Sequence, residues 1–294
     1  MAANNKGRRV LPLVATALLA LAIWYGTQRD PAGPADISGW DGEGLLAVFI
    51  DVGQGACVLV GDGDDWLLVD AGPPEAGDDV VAELRRRGVD SLSIVVATHP
   101  HSDHIGGLPD VLASFAVDAL YMPRAVHDTP TFDALMDAIE EKDIDIHAPR
   151  PGQTAALAGM RARFLHPPED ARYSDYNEYS VVVRVESEWG DLLITGDMTD
   201  DVERDLLGEG FPLTADILQV PHHGSDTSSS AAFLEAVYPR YAVVQCGLDN
   251  SYGHPHTRVL ARLEKLSVQL FRTDRDGTVV FTLTDDGIGV SAGR

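Results

Sequence analysis

Lysine is almost missing from this 294-residue chain: Lys6, Lys142 and Lys265 are the whole supply. Lysine and arginine together number 22 against 46 aspartates and glutamates, a formal net charge of −24. A surface so short of cations lacks the usual grip on a polyanionic backbone, because phosphate binding draws on clustered Lys and Arg. That exclusion holds at low ionic strength and fades in strong salt, where the Debye length shrinks to ~3 Å at 1 M. Cysteine is scarcer still. Cys57 and Cys246 each lie in an apolar run that reads as a buried strand, outside any Cys-x-x-Cys or Cys/His ligand pattern. They read as small core hydrophobes, which argues against a disulfide and against a thiol nucleophile. Short repeats are missing, and so is any long apolar run beyond the first 25 residues.

That first stretch differs from everything after it. Lys6, Arg8 and Arg9 precede an apolar run from Val10 to Tyr25, interrupted only by Pro12 and Thr16. Its ~16 residues fall between a signal-peptide core and a comfortable ~20-residue span. The expectation for 1–29 is export, ending either in cleavage or in a single membrane anchor, which makes the protein extracytoplasmic, secreted or membrane-associated. Residues 30–44, rich in Pro, Gly and Asp, read as a linker. With 45% hydrophobic residues overall, the remainder, 45–294, can bury a full core as one large domain.

From Leu45 the chain alternates strands and helices. Leu45–Val52, Ala56–Val60 and Asp65–Val69 read as a three-stranded meander; a helix over 78–87, a strand over 94–97, and helices at 107–115 and 129–142 follow. The second half repeats the theme with strands at 154–157, 161–165, 180–186, 191–194, 217–220 and 241–246. Helices at 200–207, 229–237 and 257–266 and final strands at 269–272, 278–284 and 287–291 complete it. Two runs of strands, each accompanied by helices, predict an α/β fold of two packed sheets with helices outside.

The densest chemistry lies at the end of the 94–97 strand. His99-Pro-His101-Ser-Asp103-His104 puts three imidazoles and a carboxylate into six positions, the pattern H-x-H-x-D-H. Imidazole and carboxylate together suit Zn, Mn or Fe, and two ions can share such a cluster. Alternation along an extended loop assigns His99 and His101 to one ion and Asp103 and His104 to the other. Asp197, after a β-rich run and Gly196, is the expected bridging carboxylate. His222 and His223 end another strand; one completes the metal shell while the other donates a proton, with His222 the expected ligand. His254 is a further candidate for the last ligand, for proton donation or for substrate contact, with His256 a weaker one. Asp70, ending Leu67-Leu-Val-Asp70, is expected to orient the histidine loop. The hydroxyl-rich loop from Ser225 to Ser230 reads equally as an anion-holding helix start or as an ordinary N-cap. His127, His147 and His166 lack a matching context and read as surface or structural.

The order Val-Asp70-Ala-Gly, H-x-H-x-D-H, Gly-Asp197 and a late histidine resembles the metallo-β-lactamase superfamily. Phe49-Ile-Asp-Val-Gly-Gln-Gly55, Asn177-Glu-Tyr-Ser180, Val220-Pro-His-His-Gly-Ser225 and Tyr252-Gly-His-Pro-His256 resemble the extracytoplasmic hydrolase domain of the ComEC competence proteins. The likeness runs unbroken from about Leu45 to Leu283. It implies an αββα sandwich holding two divalent metal ions, Zn or Mn, that activate water. Three departures stand out. Asn177 occupies the place of a usual histidine, Ala56-Cys57 follows Gly-Gln-Gly where an acid is usual, and the multi-helix channel of the full proteins is missing.

The activity implied is an exported phosphodiesterase, with phosphate esters, single-stranded DNA among them, as substrate. A separate channel protein is the implied partner, since this chain cannot itself conduct DNA. In that scheme Asp103 orients the attacking water, His223 or His254 protonates the leaving oxygen, and Asn177 and Ser225 support the substrate side. A second reading is a phosphorylcholine-type esterase, a relative sharing part of the pattern, which needs an aromatic cage from Tyr173, Tyr176, Tyr179 and Trp189. A third is a binding module for DNA or a partner without catalysis.

Overall fold

The structure is a computed structural model that describes Trp40 and residues 42–293. The export segment and most of the linker expected at 1–44 lie outside these residues. No helix among the described residues is long and apolar enough to cross a membrane.

Two sheets form the centre. The first runs β15(Gly287–Ala292), β14(Val279–Thr284), β1(Leu45–Phe49), β2(Val58–Gly61), β3(Trp66–Val69), β4(Ser91–Val96), β5(Ala116–Tyr121) and β6(Ile146–His147). The second runs β13(Gln269–Arg272), β12(Tyr241–Val244), β11(Ile217–Gln219), β10(Leu192–Ile194), β9(Val182–Ser187), β8(Met160–His166) and β7(Thr154–Leu157). In each sheet a parallel block, β3 to β6 and β10 to β13, continues from an antiparallel one.

Strands here are apolar on both faces because both faces are covered. In β1, Leu45, Ala47 and Phe49 point between the sheets, whereas Leu46, Val48 and the following Ile50 point to the helices outside. In β12, Tyr241 and Val243 face inward while Ala242 and Val244 pack under the outer helices of the second sheet. Phe281 sits at the inner core against Phe49, Tyr241 and Phe271, ring centroids 5.4–5.8 Å away. Truncating such a residue to Ala costs about 3–5 kcal/mol. Helices α1(Gly77–Arg86), α2(Ser102–Ile105), α3(Leu108–Ser114) and α4(Pro130–Glu141) cover the first sheet. Helices α5(Asp200–Glu209), α6(Ala231–Val237) and α7(Thr257–Lys265) cover the second. This is the expected αββα sandwich.

Local chemistry explains the helix ends. Thr129 accepts the Phe132 amide at 3.3 Å with Pro130 in the first turn, a start that fixes φ before any hydrogen bond is needed. Gly210 ends α5 in the left-handed conformation at φ +73°.

Two pieces depart from the sequence expectation. Residues 102–105 form a helical turn rather than extended loop, so Asp103 and His104 diverge by helical rotation and not by strand alternation. Residues 176–179 form a 3₁₀ turn started by Asp175, whose carboxylate accepts the Asn177 amide at 2.9 Å, and β9 begins only at Val182.

Candidate metal centre

Every chemical motif reaches the same edge of the sandwich, the carboxyl ends of the parallel strands, where the loops of both sheets meet. Asp70 follows β3, the histidine loop follows β4, Asp197 follows β10, His222 and His223 follow β11, and His254 lies on the loop after β12. Two close approaches hold this edge together. Gly55, at φ +158°, lies where a side chain would stand 2.4 Å from the Asp103 carbonyl, and the Ala56 amide donates to that carbonyl at 3.1 Å. Gly196, at φ +53°, lies where a side chain would stand 3.0–3.1 Å from Thr98 and Ser180.

Asp70 anchors the centre. Its Oδ1 accepts the Thr98 amide at 2.8 Å, and its Oδ2 accepts the Thr98 hydroxyl and His104 Nδ1, both at 2.7 Å. The Thr98 hydroxyl has one proton, given to Asp70, so its 3.0 Å contact with His99 Nδ1 is received from the ring. His223 Nδ1 donates to the Gln245 carbonyl at 2.8 Å. All three rings therefore carry their ordinary proton on Nδ1 and turn a bare Nε2 inward.

What those nitrogens meet is more negative charge. His104 Nε2 lies 3.1 Å from Asp197 Oδ1, and His223 Nε2 lies 3.3 Å from both Asp197 Oδ2 and Asp103 Oδ2. The two Nε2 atoms are 3.3 Å apart, and His99 Nε2 stands 4.0 Å from Asp197. Lone pairs facing carboxylates at these distances repel unless positive charge lies between them. Extra protons are one source. His223 is pushed up to about 9: burial opposes the charge, but Asp197 and then Asp103 outweigh it. His104 rises likewise, with Asp197 and Asp70 overcoming burial. Burial pushes the Asp197 carboxyl up, yet the His104 and His223 rings prevail and hold it well below the carboxylate range. A divalent cation meets the same demand, and N/O donors of this kind suit one. Two groupings converge closely enough to hold an ion: His99, His104 and Asp197, and Asp103, His104 and His223.

The remaining candidates are placed differently. His101 brings Nδ1 to within 3.0 Å of His99 Nε2 and stands outside both groupings. His222, the expected last ligand, keeps Nε2 3.7 Å from Asp197 and is paired through Nδ1 with Thr227 at 3.0 Å. His223 occupies the inward position instead. Both adopt left-handed backbone, φ +52° and +54°, and this reversal sends adjacent side chains in directions that strand alternation does not give. His254 stacks near-parallel on His223 at 6.2 Å, its Nδ1 buried without a protein partner, and burial with His223 and His222 nearby holds it down to about 4. Asn177 is buried with its side-chain oxygen likewise unpartnered. His256 is tied up by the Asp226 amide at 2.9 Å.

Ser225 and its loop form an N-cap, not an anion cradle. Ser225 pairs with Thr227 at 3.0 Å, Ser230 accepts the Phe233 amide, and the buried Glu203 carboxylate already takes the Ser229 and Ser230 amides. Of the four aromatics of the expected cage, Tyr173, Tyr176 and Tyr179 cluster, with Tyr179 5.1 Å from Tyr173 and 6.5 Å from Tyr176 between ring centroids, but Trp189 does not join them. Tyr173 bonds His166 and Tyr179, while Trp189 bonds Asp285 at the opposite edge of the sandwich. A cavity of about 510 Å³ opens on the centre, lined by Gln54, His101, His127, Asn177, Tyr252 and His254 among others, none of them lysine or arginine. Gln54, Thr98, Gln245 and His127 are the contributors that motif reading missed. His127 packs against Tyr176 with ring centroids 4.3 Å apart, and no ligand pattern surrounds it in the sequence.

Comparison with known proteins decides the family. The family model described as metallo-beta-lactamase superfamily matches residues 50–247. The chain belongs to the metallo-beta-lactamase superfamily. It is a hydrolase of that fold with competence-protein relatives. It is 33% identical to "Competence protein ComA" of Neisseria gonorrhoeae over 93% of this chain and 36% of that protein. It is 28% identical to "ComE operon protein 3" of Bacillus subtilis (strain 168) over 79% of this chain and 32% of that protein. The chain thus spans about a third of the length of these relatives. Among solved folds, CmlA, a diiron beta-hydroxylase from Streptomyces venezuelae, superposes with a TM-score of 0.55 at 14% identity, covering 82% of this chain and 54% of that one.

Proposed function

We propose that the protein is an exported phosphodiesterase that cleaves single-stranded DNA with two divalent ions, Mn or Zn. The observation that carries this reading is the convergence of the His99, His104 and His223 Nε2 atoms on Asp197, with Asp103 beside His223, at the floor of an open cavity. The residues present fit the metals. His99 and Asp197 would hold one ion, with His101, its Nδ1 3.0 Å from His99 Nε2, as the adjoining imidazole, and Asp103, His104 and His223 would hold the other.

Bound there, the ions supply Lewis acidity and a lowered pKa for a coordinated water, towards ~7. The chain's own residues do the rest. Asp70 and Thr98 fix the His104 and His99 rings with Nε2 inward. Gln245 does the same for His223, so this imidazole is a ligand rather than the proton donor. Asp103, the more exposed carboxylate of the centre, orients the attacking water. His254 lines the cavity and provides the hydrogen bond to the leaving oxygen. The competence relatives favour DNA as the substrate. The basic and apolar N-terminal stretch supports export.

The test is cleavage of end-labelled single-stranded DNA by the full chain with Mn²⁺ or Zn²⁺, at low and high salt, beside Asp103→Asn. Metal-dependent cleavage lost in the variant supports the reading. A variant that keeps DNA affinity while the parent shows no turnover with any metal replaces it with the binding-module reading.

A further inference from the structure

One side of the cavity carries a ladder of rings. Tyr252 lies nearly parallel to His254, at 19° with centroids 5.5 Å apart, and His254 lies at 27° to His223, 6.2 Å further in. The ladder descends from Tyr252, 64% exposed, to His223, 4% exposed, so it runs from solvent to the floor of the centre. Tyr252 is also among the few exposed large hydrophobic side chains, and it lines the cavity. An exposed apolar side chain at a site mouth marks a recognition surface more than scattered ones do.

Charge points the same way. A polyanion is normally gripped through its phosphates by Lys and Arg, and none among the described residues line this cavity. With a net charge of −24, the surroundings push extra phosphates away. Affinity has to come from the uncharged part of the substrate. Aromatic side chains supply it by stacking on bases, a contact indifferent to base identity.

We propose that Tyr252, backed by His254, is a stacking platform for a nucleobase next to the scissile phosphodiester, and that base stacking rather than phosphate contact sets substrate affinity. This rests on the phosphodiesterase reading. The base lies on the rim while the phosphodiester enters past His254 towards the floor of the cavity. Recognition then has no sequence preference and depends on the base being unpaired, because a paired base has its faces covered.

The experiment uses the full chain with Mn²⁺ and two single-stranded oligomers of equal length, oligo-dT and an abasic tetrahydrofuran oligomer. Cleavage is followed for the parent, Tyr252→Ala and Tyr252→Trp. Binding is followed by fluorescence anisotropy on the Asp103→Asn background. Tyr252→Ala is expected to raise KM for oligo-dT roughly 10-fold with kcat little changed, and Tyr252→Trp to restore it. The abasic oligomer is expected to bind weakly and to be indifferent to either substitution. Affinity for oligo-dT is expected to hold or tighten between 50 and 200 mM salt, conditions over which a phosphate grip would weaken steeply. Equal KM for the parent and Tyr252→Ala on oligo-dT overturns the platform, as does an equal loss on the abasic oligomer; cleavage of both oligomers would then leave the phosphodiesterase reading standing. If neither oligomer is cleaved, that reading fails, and loss of oligo-dT binding in Tyr252→Ala still decides for the platform, unchanged binding against it.

Discussion

His166 and His223 are both buried, and each turns Nδ1 to a main-chain carbonyl, Ser180 at 2.9 Å and Gln245 at 2.8 Å. Their Nε2 atoms part company. That of His166 meets the Tyr173 hydroxyl at 3.1 Å, a neutral partner, and burial, opposed by the Ser180 carbonyl, pushes the ring down to about 4. That of His223 meets two carboxylates, which outweigh burial and push it up to about 9. Identical anchoring therefore produces a structural imidazole in one place and a cation-seeking one in the other. The charge opposite the second nitrogen decides which.

Breaking the carboxylate side should have the largest effect. Asp197→Asn removes the charge shared by His104 and His223, and metal-dependent turnover is expected to fall roughly 10³-fold, several kcal/mol of lost transition-state stabilisation. Steady-state rates at saturating metal would check this, and turnover within a few-fold of the parent would refute the shared role. Next comes the His166 side. Its folded pKa of about 4 lies below the ordinary 6.5, so the unfolded chain binds more protons between those values. The stability contribution is complete above pH 6.5 and is lost as pH falls towards 4, about 3 kcal/mol in all. Urea unfolding across that window should show the slope in the parent and a flatter profile in His166→Gln.

A smaller effect sharpens the anchoring half of the comparison. Asp70 holds left-handed backbone at φ +58°, which Asn tolerates, so Asp70→Asn keeps the fold while weakening the hold on His104 and Thr98. Metal affinity by calorimetry is expected to drop about 10–100-fold. The least effect belongs to Ser225→Ala, since that hydroxyl pairs with Thr227 inside the loop. A rate within about 3-fold of the parent, with at most about 1 kcal/mol of stability lost, is expected. A large rise in KM would return Ser225 to the substrate side.

Much of the fold was legible because both sheets are covered on both faces. Runs such as Leu45–Phe49 and Tyr241–Val244 are apolar throughout, and turn residues separate them. The 102–105 helical turn escaped notice because four residues are too few to show a period. In the site, His99, Asp103, His104 and Asp197 were visible as a contiguous cluster or behind a glycine. The choice between His222 and His223 was not, because it hangs on two positive φ angles. Thr98 and Gln245 were hidden for another reason. A threonine beside a histidine and a main-chain carbonyl at the end of a strand carry no ligand signature, and they reach the centre here through the ring that each one holds.

The sequence by itself determined the layers, the order of the elements and the presence of an acid–imidazole cluster, because hydrophobic pattern and contiguous motifs are local properties. Only the tertiary structure decided which histidine faces inward, that the Ser/Thr loop is closed on Glu203, and that Tyr252 stands over His254 at the cavity mouth. Those outcomes depend on backbone reversals and on partners far apart in the chain, such as Ser229 with Glu203 and His223 with Gln245, which no local pattern encodes.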